Sequence, residues 1–118
     1  MRMRVSGSDE SGSQYFSQQI AANGTTLTGF RQSSGTSWIE VIYLQSAFQN
    51  QSPILVSNPF PTRVTNIQNW GGTQINGSSI SQTIWYRGLN TATSYTGFSI
   101  IIGSGTITGS VSVYGYNK

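Results

Sequence analysis

Two side chains that carry much of protein chemistry are missing. None of the 118 residues is cysteine or histidine. Without cysteine there is no disulfide, no thiolate nucleophile and no zinc–thiolate site, and the redox compartment stays open. Without histidine the commonest general base and the commonest metal ligand are gone. Charge is scarce as well. Six basic residues stand against three acids, a net charge of +3. Arg2, Arg4, Arg31, Arg63, Arg87 and Lys118 are dispersed, where a nucleic-acid face would cluster them. No apolar run approaches the roughly 18 residues of a membrane span. The opening MRMRVSGSDESGS has no apolar stretch of the signal-peptide kind. Nor does any ten-residue stretch carry the i, i+3, i+4 pattern with good helix formers.

What the chain does have is glycine, serine, threonine, asparagine and glutamine, mixed with aromatic and β-branched residues. Disordered chains lack the last two classes. The mixture fits an all-β protein with many turns. Its length suits one domain.

Residues 1–13 read as a flexible arm, dominated by SGSDESGS, ahead of a body over residues 14–118. The body divides into short strand candidates: 15–21, 25–31, 38–46, 52–57, 63–70, 79–89, 93–102 and the closing stretch from Gly105. Asn23-Gly24 marks a hairpin turn, and Gly103-Ser104-Gly105 marks another. Residues 38–46 alternate with apolar side chains on both faces, the pattern of a covered central strand. Pro59 and Pro61 favour an extended connection there. Such short strands at this spacing predict an antiparallel β-sandwich, jelly-roll-like in type. In the closing strand Ile107, Val111 and Val113 are expected to face the core. Gly109 and Gly115 would admit a bulky neighbour such as Phe98 or Trp85. Tyr114 and Tyr116, on the opposite face, are expected at a subunit interface.

Catalysis finds few candidates. Of the acids, Asp9 and Glu10 lie in the Ser/Gly stretch and Glu40 stands among apolar neighbours. A carboxylate pair needs two acids facing each other across a substrate. Glu40 is expected to pair with Arg31 or Arg87, or to face a subunit contact. No serine has a histidine to activate it. A hard-cation site usually uses two or more carboxylates, and the body has one. No catalytic residue, cofactor site or metal site is expected. Arg31, Arg63 and Arg87 with Trp38, Trp70, Trp85, Tyr86 and Tyr95 would form a nucleic-acid surface only if they shared a face. Aromatics in a small sandwich are expected in the core or at subunit contacts. A sugar platform is the stronger rival, with Trp70, Asn69 and Gln74 in the amide- and glycine-rich stretch NIQNWGGTQING.

The C-terminal stretch YRGLNTATSYTGFSIIIGSGTITGSVSVYGYNK, residues 86–118, resembles the closing hairpin of small β-sandwich modules in tailed-bacteriophage virion proteins. The shared features are a TSYTGFSI strand, a Gly-rich turn and TITGSVSVYGY. Such modules occur in tail fibres, head fibres and capsid decoration, or cement, proteins. The family places no catalytic residue in this hairpin. A short arm and a compact body with no shaft repeat are the layout expected of a separate protein that docks on a preformed lattice. The resemblance thus implies a non-enzymatic structural protein: a homotrimeric capsid decoration protein on the outer surface of the phage head, bound to the major capsid protein. Arg2, Arg4, Tyr15 and Phe16 are the expected capsid contacts. No nucleic acid and no membrane enter this reading. The alternative is a receptor- or glycan-binding tip domain of a tail or head fibre.

Overall fold

The computed structural model describes residues 1–38, 52–60, 62–76 and 79–115. Eight strands run through them: β1 (Arg2–Val5), β2 (Ser8–Asp9), β3 (Tyr15–Asn23), β4 (Thr26–Gln32), β5 (Ile54–Ser57), β6 (Val64–Asn76), β7 (Ser79–Ala92) and β8 (Gly97–Ser99). They form a three-stranded sheet, β2-β1-β8, and a five-stranded sheet, β4-β3-β7-β6-β5. Both are antiparallel, and they pack together as an all-β, sandwich-like fold. The five-stranded order joins the β3–β4 hairpin to the β5–β6–β7 meander through the β3–β7 pair. The described residues do not trace the two Greek keys of a jelly roll. The central strand expected at 38–46 lies, apart from Trp38, outside the described residues.

The alternation that makes β3 a strand also sorts its faces. Tyr15, Ser17 and Ala21 are buried on the inner face, while Gln18 and Ile20 point out. The register carries this division across the sheet, pairing Gln18 with Tyr86 and Ile20 with Ile84. The inner faces meet around Met1, Met3, Tyr15, Trp38, Ile67, Leu89 and Tyr95. Tyr15 and Trp38 contact edge to face, with centroids 4.9 Å apart. Trp38 Nε1 donates to the Gly88 carbonyl at 3.1 Å.

The N-terminal residues correct the expected arm. Residues 2–5 are β1, paired with β2 and β8. In MRMRV the apolar Met1, Met3 and Val5 alternate with two arginines, a strand period, and Met1 and Met3 are buried in the core. The turn between β1 and β2 is Ser6-Gly7, both with positive φ, +49° and +83°. That is the backbone of a type I′ hairpin turn. The β3–β4 turn falls one residue later than the sequence suggested: Gly24-Thr25 connect the closing pair Asn23 and Thr26. Gly24 takes the positive φ, +59°.

The closing hairpin is the second correction. Residues 100–115 form no strand, and every one of them is exposed. Ile107, Val111 and Val113 do not enter the core. Gly109 and Gly115 have no atom within 4 Å of the space a side chain would take, so they admit neither Phe98 nor Trp85. The alternation in this segment is real, but no strand of the described chain lies beside it to supply the ladder.

Candidate interaction surfaces

Four residues were expected to touch a capsid, and the fold engages each within the chain. Tyr15 is fully buried. Its hydroxyl accepts from the Met3 amide at 3.0 Å and donates to the Glu10 carbonyl at 2.7 Å. Burial holds this phenol protonated, its pKa pushed up to about 12. Tyr15 is therefore a core residue that ties β1 to β3, not a contact. Phe16 sits opposite Gly88 on the outer face, half-buried, with its ring over the glycine. Arg2 Nε donates to the Thr36 carbonyl at 2.8 Å. Arg4 donates to the Gly7 carbonyl and lies 3.6 Å from Asp9. Arg2 and Arg4 retain some exposure, but they brace the turn and the loop beside β1.

The acids that were weighed for catalysis are structural where they are described. Asp9 Oδ1 accepts from the Ser99 hydroxyl at 2.6 Å, which joins β2 to β8 across β1. Glu10 Oε1 accepts from the Gly12 amide at 3.0 Å and shapes the turn before β3. Glu40 lies outside the described residues. Among the described residues no three His, Cys, Asp or Glu side chains come together as a metal site.

The arginine and aromatic constellation is not assembled either. Arg87 is fully buried, donates to Asn69 Oδ1 and lies 3.9 Å from the Trp85 ring centroid. Trp38, Trp85 and Tyr95 are buried with it, whereas Arg31 and Arg63 are exposed. The sugar platform separates in the same way. As far as Asn76 the stretch that holds it is strand: β6 runs through Gly71-Gly72, paired along β7. Adjacent strand residues point to opposite faces, so Trp70 projects outward and Asn69 inward. Asn69 is buried, and its amide reaches the Ser52 hydroxyl at 3.4 Å. The Gln74 side chain lies outside what is described.

Trp70 instead belongs to a surface that sequence reasoning did not assemble. Trp70 stands directly opposite Ile84, and Ile84 opposite Ile20, so the three form one row across β6, β7 and β3. They are 52%, 64% and 58% exposed. Leu27 and Leu55 flank the row from the two edge strands, and Tyr86 lies one pair along. Exposed apolar side chains grouped in this way make a candidate interaction surface. The signal lay in the strand pairing, since Ile20, Trp70 and Ile84 are far apart in sequence.

The C-terminal segment is the second such surface. Val111, Val113 and Tyr114 are 61%, 75% and 84% exposed. Tyr114 is thus open to a neighbour, and Tyr116 lies outside the described residues. The third feature is a groove of about 250 Å3 at one end of the outer face. Phe16, Gln18, Arg31, Tyr86 and Asn90 line it.

No family model, curated protein or solved structure matches the chain, so these surfaces carry the functional reading.

Proposed function

We propose that this chain is a non-enzymatic structural protein of a tailed-phage particle. In this reading it decorates the outer surface of the head as a homotrimer and cements the major capsid protein. The observation that carries its assembly role is the C-terminal segment: sixteen uncharged, strand-patterned residues, 100–115, all exposed. An exposed segment with a strand's alternation can complete its pairing on another chain. The resemblance of residues 86–118 to the closing hairpin of virion modules supports the phage setting. The mechanism is avidity, in which several modest contacts on one oligomer hold more tightly than any alone. Neutral hydroxyls and amides suit such contacts because they cost less to desolvate than charges. The test is to add the purified protein to undecorated capsids. Density on the head lattice and raised heat resistance of the particle are expected. Density confined to the tail tip would overturn the head assignment.

The groove favours a second reading, a glycan-binding tip domain. An exposed tyrosine offers a sugar stacking surface, Gln18 and Asn90 offer amides, and Arg31 suits an acidic sugar. This reading shifts the sugar site from Trp70 to Tyr86. It expects Tyr86→Ala to abolish binding on a glycan array while leaving the fold intact by circular dichroism.

A further inference from the structure

The outer face of the five-stranded sheet and the C-terminal segment are each incomplete, and in complementary ways. The face carries an apolar row that no described segment covers. The segment carries an apolar edge with no described segment beneath it. We propose that residues 106–114 of one copy of this chain lie across the outer face of the five-stranded sheet of a second copy. The segment then follows the line of the Ile20–Ile84–Trp70 row, with Ile107, Val111 and Val113 turned towards the face between β4 and β5. This deepens the assembly reading given above and rests on it.

Three observations make a second copy the occupant. The first is reach. From Leu27 on β4 to Leu55 on β5 the face crosses four strand spacings, about 19 Å at roughly 4.8 Å each. From Ile107 to Val113 an extended chain covers six residue steps, about 20 Å at roughly 3.3 Å each. The segment therefore spans the apolar face from edge to edge.

The second is chemistry. Residues 100–115 contain no charged residue and no proline. The row they would cover is apolar too; the neutral Gln18, Gln68 and Gln82 stand beside it, and Arg31 is the charged residue at its margin. Neither surface must give up the hydration of a charge when they meet. Laid with Ile107, Val111 and Val113 downward, the segment turns Thr106, Thr108, Ser110 and Ser112 to water. Gly29 and Gly72, beside the row, leave the sheet surface low, and the space above them is open except for ordinary contact with neighbouring strands.

The third is placement. The segment leaves the body from β8, in the three-stranded sheet. The apolar row lies on the side of the five-stranded sheet turned away from that sheet, because the inner faces of the two enclose the core. In its own chain the segment stays off the row, and the row stays open. A second copy supplies the same segment from outside, with no detour around a sheet edge.

The natural absence of cysteine makes the test direct. Ile84→Cys and Val113→Cys are made on separate chains, mixed and oxidised mildly. Each position is exposed, so each variant is expected to fold as the parent does. A disulfide between the two variants, at least tenfold more abundant than either self-pair, is the expected result. Ile84→Asp and the chain ending at Ser99 are expected to shift the parent oligomer towards monomer by at least tenfold in dissociation constant. An oligomer that forms no such cross-link, and that survives Ile84→Asp, overturns the docking but leaves assembly through another surface. A monomer at every concentration overturns it as well. A double variant that closes only within one chain at high dilution assigns the face to the chain's own tail and also overturns the proposal. The capsid-addition test decides the phage reading separately.

Discussion

Met1 and Trp38 exchange two backbone hydrogen bonds. The Met1 amino group donates to the Trp38 carbonyl at 2.8 Å, and the Trp38 amide donates to the Met1 carbonyl at 2.9 Å. They close the N-terminal strand onto the chain 37 residues away. Both side chains are in the core. A residue expected to open a loose arm thus carries a charged amine into a buried setting, and the fold must respond to its titration.

That response has a definite direction. Burial lowers the pKa of the Met1 amine from 8.0 to about 6, Arg87 and then Arg2 reinforce it, and Asp9 opposes it. Between these values the unfolded chain holds more protons than the folded one, so stability rises with pH. For the chain with a free amine at Met1, the contribution is full above pH 8 and is lost as the pH falls through 6. Melting curves across this window are expected to show the midpoint climbing towards pH 8. Acetylating the amine should flatten that part of the profile. A profile that is unchanged by acetylation assigns the slope to another group.

Trp38 is the hub on which both sheets close. Its ring meets Tyr15, and its indole N–H satisfies the Gly88 carbonyl. Trp38→Ala removes a large buried side chain together with its hydrogen bond to that carbonyl, which should cost about 3–5 kcal/mol. Trp38→Phe keeps most of the packing and loses the hydrogen bond, about 0.5–1.5 kcal/mol. Denaturant titration separates the two. Equal losses for both variants would show that the bond, and not the volume, dominates.

Gly88 and Phe16 form a cross-strand pair in which one side chain uses the space the other lacks. A Cβ at residue 88 would run into the Phe16 ring. Gly88→Ala is expected to destabilise by about 1–3 kcal/mol through overpacking. Phe16→Leu alone should cost less, and the two together should cost less than their sum. A double-mutant cycle measures that coupling. Strict additivity would mean that the ring swings away freely.

Much of this architecture was legible in the sequence. The strand candidates at 15–21, 25–31, 52–57, 63–70 and 79–89 each fall within or across β3 to β7, because period-two alternation reports burial of one face whichever strand supplies the cover. Three errors share a physical origin. MRMRV was masked by the Ser/Gly stretch behind it, although its alternation was intact. The strand candidate stopped at residue 70, before Gly71-Gly72, yet β7 supplies a ladder that holds those glycines in β6. The final segment alternates as a strand should, but alternation states which side wants burial and not which chain provides it. The apolar row was invisible for a different reason. Ile20, Trp70 and Ile84 meet only through register, which a single sequence does not fix.

The Ser6-Gly7 turn offers a stabilising substitution. Ser6 holds φ at +49°, a left-handed conformation that costs an L-residue with a Cβ roughly 1–2 kcal/mol. Asparagine tolerates it better, and Asn-Gly is a favoured type I′ pair. Ser6→Asn is expected to recover about 0.5–1 kcal/mol of that cost and to raise the melting midpoint by a few degrees. Ser6→Val should lower it. Differential scanning calorimetry checks both, and a midpoint that falls with asparagine would show that the serine side chain makes a contact worth keeping.

Ionic strength distinguishes the two ways this chain can hold a neighbour. An association carried by residues 106–114 on the Ile20–Ile84–Trp70 row involves no charge on either surface. Raising sodium chloride from about 0.1 M to about 1 M shortens the Debye length from about 10 Å to about 3 Å, which screens exposed charges and leaves apolar contact in place. Self-association measured by sedimentation should therefore stay within about twofold over this range, or tighten slightly. Contacts through Arg2, Arg4 or Arg31 on an acidic surface would weaken steeply over the same range. A tenfold loss of self-association in salt would move the interface from the apolar row to those arginines.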